Sequence, residues 1–147
     1  MKKMGESVCF CHQRPGEMLP PGVARGSGNS AAAGFWELCA LSPEWARELT
    51  HRVLRCRTLL VPEGTYCPTW QAQQVVSYGL SGRSSLTLSS MDGQGVLCVQ
   101  RTVQDRRGQF IEAQELPLPE DWRDQPPLEK LMLAGVWLLW RGLPFSN

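Results

Sequence analysis

The chain lacks most of the features that announce an activity. No run of about 20 apolar residues is present, which is the length a bilayer-spanning helix needs. Histidine occurs twice, as His12 and His51. Neither stands in a Ser/His/Asp order or a Cys-His pair suited to nucleophilic catalysis. Gly79-Leu80-Ser81-Gly82-Arg83-Ser84-Ser85 lacks P-loop spacing and the Lys-Ser/Thr ending, so it reads as a turn. No cofactor is expected. Charge of one sign is absent too: 15 Lys and Arg face 14 Asp and Glu, a net charge of +1. That balance gives no global electrostatic argument for nucleic acid or for an acidic partner. No apolar run follows Met1-Lys2-Lys3, as a secretory signal would require. The six cysteines are even in number, yet Cys39, Cys56, Cys67 and Cys98 lie in or beside apolar stretches where a free thiol packs as a small hydrophobe. The expectation is a reducing cytoplasm without disulfides.

A length of 147 residues suits one domain with a single core. The stretch Val75 to Leu118 organises it. Leu86 and Leu88 alternate with Ser85, Thr87 and Ser89, and Leu97, Val99 and Val103 alternate with Cys98, Gln100 and Thr102, the period of strands. Asp92-Gly93-Gln94-Gly95 and Asp105-Arg106-Arg107-Gly108 supply the reversals, and Phe110 to Leu118 returns as a third extended segment. The expectation is an α+β fold: an antiparallel meander sheet packed against an N-terminal amphipathic helix and an apolar C-terminal helix. Arg101 stands in the apolar row of Leu97, Val99 and Val103. Either it snorkels to water from a strand end, or it is an anion-binding group on the covered face.

Residues 1–33 are rich in Gly, Pro and Ser and read as a flexible arm, dispensable for folding; 34–147 form the domain. In the arm, Cys9-Phe10-Cys11-His12 lacks the two-residue spacer of a metal clip, so no metal site is expected; an incidental or reactive thiol pair is the other reading. The N-terminal helix is expected from Ser42 as N-cap and Pro43 at the first position. Trp45, Leu49, Val53 and Cys56 follow at helical spacing, with His51 on the solvated side. Thr58 to Val61 favours a strand, and Gln71 to Tyr78 fits a helix start or a strand. Leu128 to Arg141 is helical, with Gly142 beyond its end. Its apolar residues run round the helix, so it is either a central core helix or a helix with an exposed flank. In the second case Trp137 and Trp140 would meet a partner or a second copy in a homodimer.

Val96-Leu97-Cys98-Val99-Gln100-Arg101-Thr102-Val103, followed by Asp105-Arg106-Arg107-Gly108-Gln109-Phe110-Ile111, resembles the chorismate lyase and UTRA ligand-binding superfamily. In that superfamily an Arg-bearing strand leads through a D-x-x-G turn to a returning strand and a proline-bearing loop. Here these are Glu112 to Pro119, then Pro127-Leu128-Glu129-Lys130-Leu131 and Arg141-Gly142-Leu143-Pro144-Phe145. The resemblance covers about a third of the chain. It implies an α+β fold with a ligand between sheet and helices, and Arg101 as anchor for a carboxylate. The register counted back from Gly108 fits the regulator domains better than the lyases. The family's last strand and acidic residue do not appear before Asn147, which counts against lyase activity.

Two functions follow from these readings. The first is a small-molecule-binding domain, its ligand an aromatic carboxylate held by Arg101 beside Leu97 and Val99, without full catalytic equipment. The second is a protein-interaction module, an adaptor or chaperone, using Trp137 and Trp140. No catalytic residue is assigned.

Overall fold

The computed structural model describes residues 7–10, 19–26, 34–89, 95–122 and 124–142. In chain order these form strands β1 (Ser7–Phe10), β2 (Val23–Arg25) and β3 (Phe35–Leu41), then helix α1 (Pro43–Glu48). Strands β4 (Leu54–Pro62), β5 (Trp70–Tyr78), β6 (Leu86–Ser89), β7 (Val96–Val99), β8 (Val103–Gln104), β9 (Phe110–Ile111) and β10 (Gln114–Pro117) follow. A 3-10 turn, Glu120–Trp122, leads to α2 (Pro127–Arg141).

The sheet is mixed, which corrects the expected antiparallel meander. Its eight strands lie in the order β10-β7-β6-β5-β4-β3-β1-β2. Antiparallel pairing is confined to β6–β7 and β7–β10. From β2 through β1, β3, β4 and β5 every pair is parallel. β8 and β9 form a separate two-stranded hairpin. Strands β5 and β6 share one parallel pair, Tyr78 with Leu86. The antiparallel part therefore extends beyond the end of β5, and the chain after β7 folds back beside β5, where the Gln104 N–H donates to Gln74 Oε1 at 2.8 Å.

The expected N-terminal helix is also shorter than its apolar spacing suggests. It ends at Glu48; Val53 lies in the connection that follows and Cys56 in β4. The groups that would continue the helix are taken by residues 67–70. Trp70 Nε1 donates to Leu49 O at 3.1 Å, Thr69 Oγ1 to Arg52 O at 2.7 Å, and the His51 N–H to Cys67 Sγ at 3.3 Å. His51 turns the chain with a left-handed φ of 72°. The second half of β4 is then buried on both faces, Leu59 and Val61 toward α1 and Leu60 toward α2. A strand covered on both sides has no polar alternation to betray it.

The composition of residues 1–33 signals an arm, but their described part is built into the sheet. β1 lies between β3 and β2, and Val23 is buried against α2. Trp140 Nε1 donates to Pro21 O at 2.9 Å, and Gly22, at φ +97°, lets the backbone pass the indole where a Cβ would come within 2.8 Å. Residues 1–6, 11–18 and 27–33 lie outside the described residues, and with them Cys11 and His12; of Cys9 only the backbone path is described.

Helix α2 lies on one face of the sheet, over Leu38, Ala40, Leu60, Val76, Tyr78, Leu86, Leu97 and Val99. Gly135 makes the closest approach, since a Cβ there would come within 2.9 Å of Leu60. Its other sides are covered by Leu118 and Trp122, by Val103 and Ile111 of the hairpin, and by Leu19 and Val23. Each large side chain so buried contributes roughly 1.5–3 kcal/mol. The opposite face carries a second cluster, in which Ala46 of α1 and Leu49 just past its end meet Cys39, Leu41, Leu54, Cys56, Cys67 and Trp70. Cys39, Cys56, Cys67 and Cys98 are free thiols. No helix among the described residues is long and apolar enough to cross a membrane.

A chain starting at Gly34 loses β1, β2, the Val23 contact and the cover over Trp140. It is expected to be less stable by at least about 2 kcal/mol, read from urea midpoints; an unchanged midpoint would show residues 1–33 to be an arm after all. Gly142 closes α2 at φ 76° and ψ −163°, a region other residues rarely enter, and its missing Cβ leaves room for the Asp105 carboxylate. Gly142→Ala should cost about 1–3 kcal/mol by the same measurement.

Candidate anion site at the sheet junction

The loop 79–85 joins β5 to β6 where the parallel and antiparallel parts of the sheet meet. It sits at the carboxyl ends of β4 and β5, the side of an open parallel sheet where ligands gather. Glu63, just past β4, ties it down: Ser81 Oγ donates to Oε2 at 2.6 Å and Ser84 Oγ to Oε1 at 2.5 Å. Those hydroxyls, Ser81 first and Ser84 next, hold the Glu63 carboxyl below its ordinary value by stabilising the charged form. Gly79 is required here, because a Cβ would come within 2.5 Å of Glu63 Oε1 and 2.7 Å of Ser84 Oγ. From the other side Gln100 Nε2 donates to Ser81 O at 3.2 Å and to Ser84 O at 2.8 Å. Ser77 and Ser85 exchange bonds from backbone N–H to side-chain oxygen, at 3.3 and 3.0 Å.

Arg101 rests on this loop. β7 ends at Val99, so Arg101 leaves the alternation of the strand and stands exposed instead of on the covered face. Its Nη1 donates to Arg83 O at 2.6 Å. Leu97 and Val99, expected beside it, are buried under α2, so the three do not line one cavity. Its contact on the loop is the exposed Arg83, and the same loop carries Leu80 at 62% exposure. Sequence reasoning missed Glu63, Ser81, Ser84 and Gln100. Glu63 precedes its two serine partners by 18 and 21 residues, and no local pattern links positions so far apart.

The other expected residues lie elsewhere. Trp140 is buried, with the Arg106 guanidinium 4.1 Å from its ring centroid. Trp137 is half-buried against the α2 core, with Arg141 at 5.7 Å from its ring. Cys67 is the most elaborately held thiol. It accepts from the His51 N–H and lies 3.1 Å from Thr69 Oγ1. The Thr69 hydroxyl already donates to Arg52 O, so the neutral Cys67 S–H donates to Thr69. Thr69 and the His51 N–H pull this thiol below its ordinary value; full stabilisation of a thiolate requires Thr69 to turn its proton to the sulfur. Burial pushes Cys56 up to about 12 and raises Cys39 well above the usual thiol range. Among the described residues no group of three His, Cys, Asp or Glu side chains is placed to hold a metal ion.

Glu63 makes the loop sensitive to acid. Its folded value is depressed, so the stability it contributes is present above about 4.5 and is lost as pH falls through the lowered value. Glu63→Gln keeps the shape and removes the charge. The stability gap between wild type and variant, measured by urea unfolding, should be largest near neutral pH and shrink below about 4.5; a gap independent of pH would remove the charge from the account. No protein-family model, no curated protein and no solved structure matches this chain.

Proposed function

We propose that the chain is a small-molecule-binding domain without full catalytic equipment, which takes a carboxylate at the 79–85 junction with Arg101 as its anchor. The observation that supports this reading is the setting of Arg101, exposed yet fixed by one hydrogen bond to Arg83 O on a loop tied down by Glu63 and Gln100. A guanidinium carries five N–H donors, so that bond leaves a fork free for a bidentate carboxylate. A pre-fixed side chain loses less entropy on binding than a free one. Leu80 on the same loop offers an apolar contact for a ring, and the resemblance to the chorismate lyase and UTRA superfamily suggests an aromatic acid. A net charge of +1 accords with a small ligand rather than nucleic acid. The free thiols accord with a reducing, cytoplasmic setting. An adaptor surface on the Trp-rich helix is the weaker reading, because Trp140 is occupied by Pro21 and Arg106.

Calorimetric titration with 4-hydroxybenzoate tests the proposal. Wild type should bind, and Arg101→Met, which keeps the stem of the side chain, should weaken binding by at least about tenfold, the loss of one charge-assisted pair. Equal affinity of the two proteins, or no heat from wild type with any aromatic acid, would remove this reading.

A further inference from the structure

Four arginines from three separate parts of the chain meet where β4, the 105–108 turn and the end of α2 come together. Arg57 Nη1 donates to Arg106 O at 2.9 Å. The turn is docked on the helix end: the Arg106 N–H donates to Leu139 O at 2.8 Å, and its Nε to Trp140 O at 3.2 Å. Arg107 Nη2 reaches Arg141 O at 3.4 Å. Arg106, Arg107 and Arg141 are exposed, and Arg57 is 31% exposed.

Part of this gathering is structural, since cations favour the negative end of a helix. The charge nevertheless exceeds what the helix calls for. Among the described residues two carboxylates touch the group. Glu37 pairs with Arg57 at 3.5 Å, and Asp105 is buried with Oδ1 taken by the N–H groups of Arg107 and Gln109. Set against the guanidiniums, these carboxylates and a helix end worth about half a negative charge leave roughly one and a half positive charges in excess. The hydrogen bonds to carbonyls fix the side chains without neutralising them.

We propose that this patch is a docking surface for an acidic segment of a partner protein. The near-zero charge of the whole chain gives no long-range pull on an extended polyanion. A local excess set among held guanidiniums suits a few carboxylates on a short stretch of peptide. The proposal stands apart from the Arg101 reading.

The test is fluorescence anisotropy of a labelled glutamate-rich peptide with the full chain, at low and at physiological salt. Arg107→Glu/Arg141→Glu is the variant, because both side chains are exposed and Arg106, which packs on Trp140, is left intact. Near-UV circular dichroism checks that the variant is folded. Wild type should bind with an affinity that falls as salt rises, and the double variant should bind at least about tenfold more weakly. No binding at low salt, or equal binding by the folded double variant, would overturn the proposal. Tighter binding of a single-stranded oligonucleotide than of the peptide at matched salt would overturn it in favour of nucleic acid. If the double variant is unfolded, Arg107→Gln alone decides: unchanged affinity counts against the surface, and a loss supports it.

Discussion

The fold depends on hiding a helix that is apolar nearly all the way round. A helix with one apolar stripe can lie on a sheet and leave its back in water. α2 cannot, because Leu131, Met132, Leu133, Val136, Leu138, Leu139 and Trp140 are all buried. The sheet covers one side, and the remaining parts of the chain act as staves around the rest. Trp122 and Leu118 close one flank, Val103 and Ile111 another, and the segment from Leu19 to Val23 lies against the C-terminal end. This explains why the hairpin β8–β9 leaves the main sheet. Its two buried residues serve the helix, while Phe110 at 70% exposure faces water.

The parts that could be read from the sequence were those where one side is wet. Leu86, Leu97 and Val99 alternate with half-exposed neighbours, so the strands that carry them were visible, and Gly142 marked the end of α2. Three parts were hidden for physical reasons. β4 alternates only briefly, from Leu54 to Arg57, before it is covered on both faces, so the spacing of Trp45, Leu49, Val53 and Cys56 imitated a longer helix. β1 and β2 span only four and three residues and draw their stability from neighbours distant in sequence, while the prolines and glycines around them signalled an arm. Parallel pairing itself left no local mark, because it joins segments through connections the sequence does not label.

β4 also changes face along its length, and this governs where polar groups can go. Leu54 and Cys56 pack toward α1, and so do Leu59 and Val61, which strict alternation would place on the other side. The shift falls at Arg57 and Thr58. Arg57 reaches Glu37 and Arg106 O, and Thr58 accepts from Gln74, whose amide also donates to Gln104 O. Neighbouring strands share the step: Trp36 and Ala72 pack toward α1, while Leu38 and Val76 pack toward α2. Along this line the sheet turns polar side chains toward the 103–111 hairpin. The hairpin, having left the sheet, needs those partners for its backbone.

The arginines follow the same logic. Arg57, Arg101, Arg106 and Arg107 each donate to a backbone carbonyl, of Arg106, Arg83, Trp140 and Arg141 in turn. Each of those carbonyls lies in a loop or at a helix end, where ladder partners run out. A lysine would offer one compact charge on a mobile stem, whereas a guanidinium can spend one N–H on a carbonyl and keep a planar face with further donors. Structural use and binding use therefore do not compete at these positions. The hydrogen bond that satisfies the loop also fixes the orientation of the remaining fork, and the charge stays uncancelled because its partner is neutral. Arg57 alone also meets a carboxylate, that of Glu37, so it keeps the least charge to offer. In Arg101 and Arg107 the same demand of an irregular backbone leaves an oriented cation at the surface.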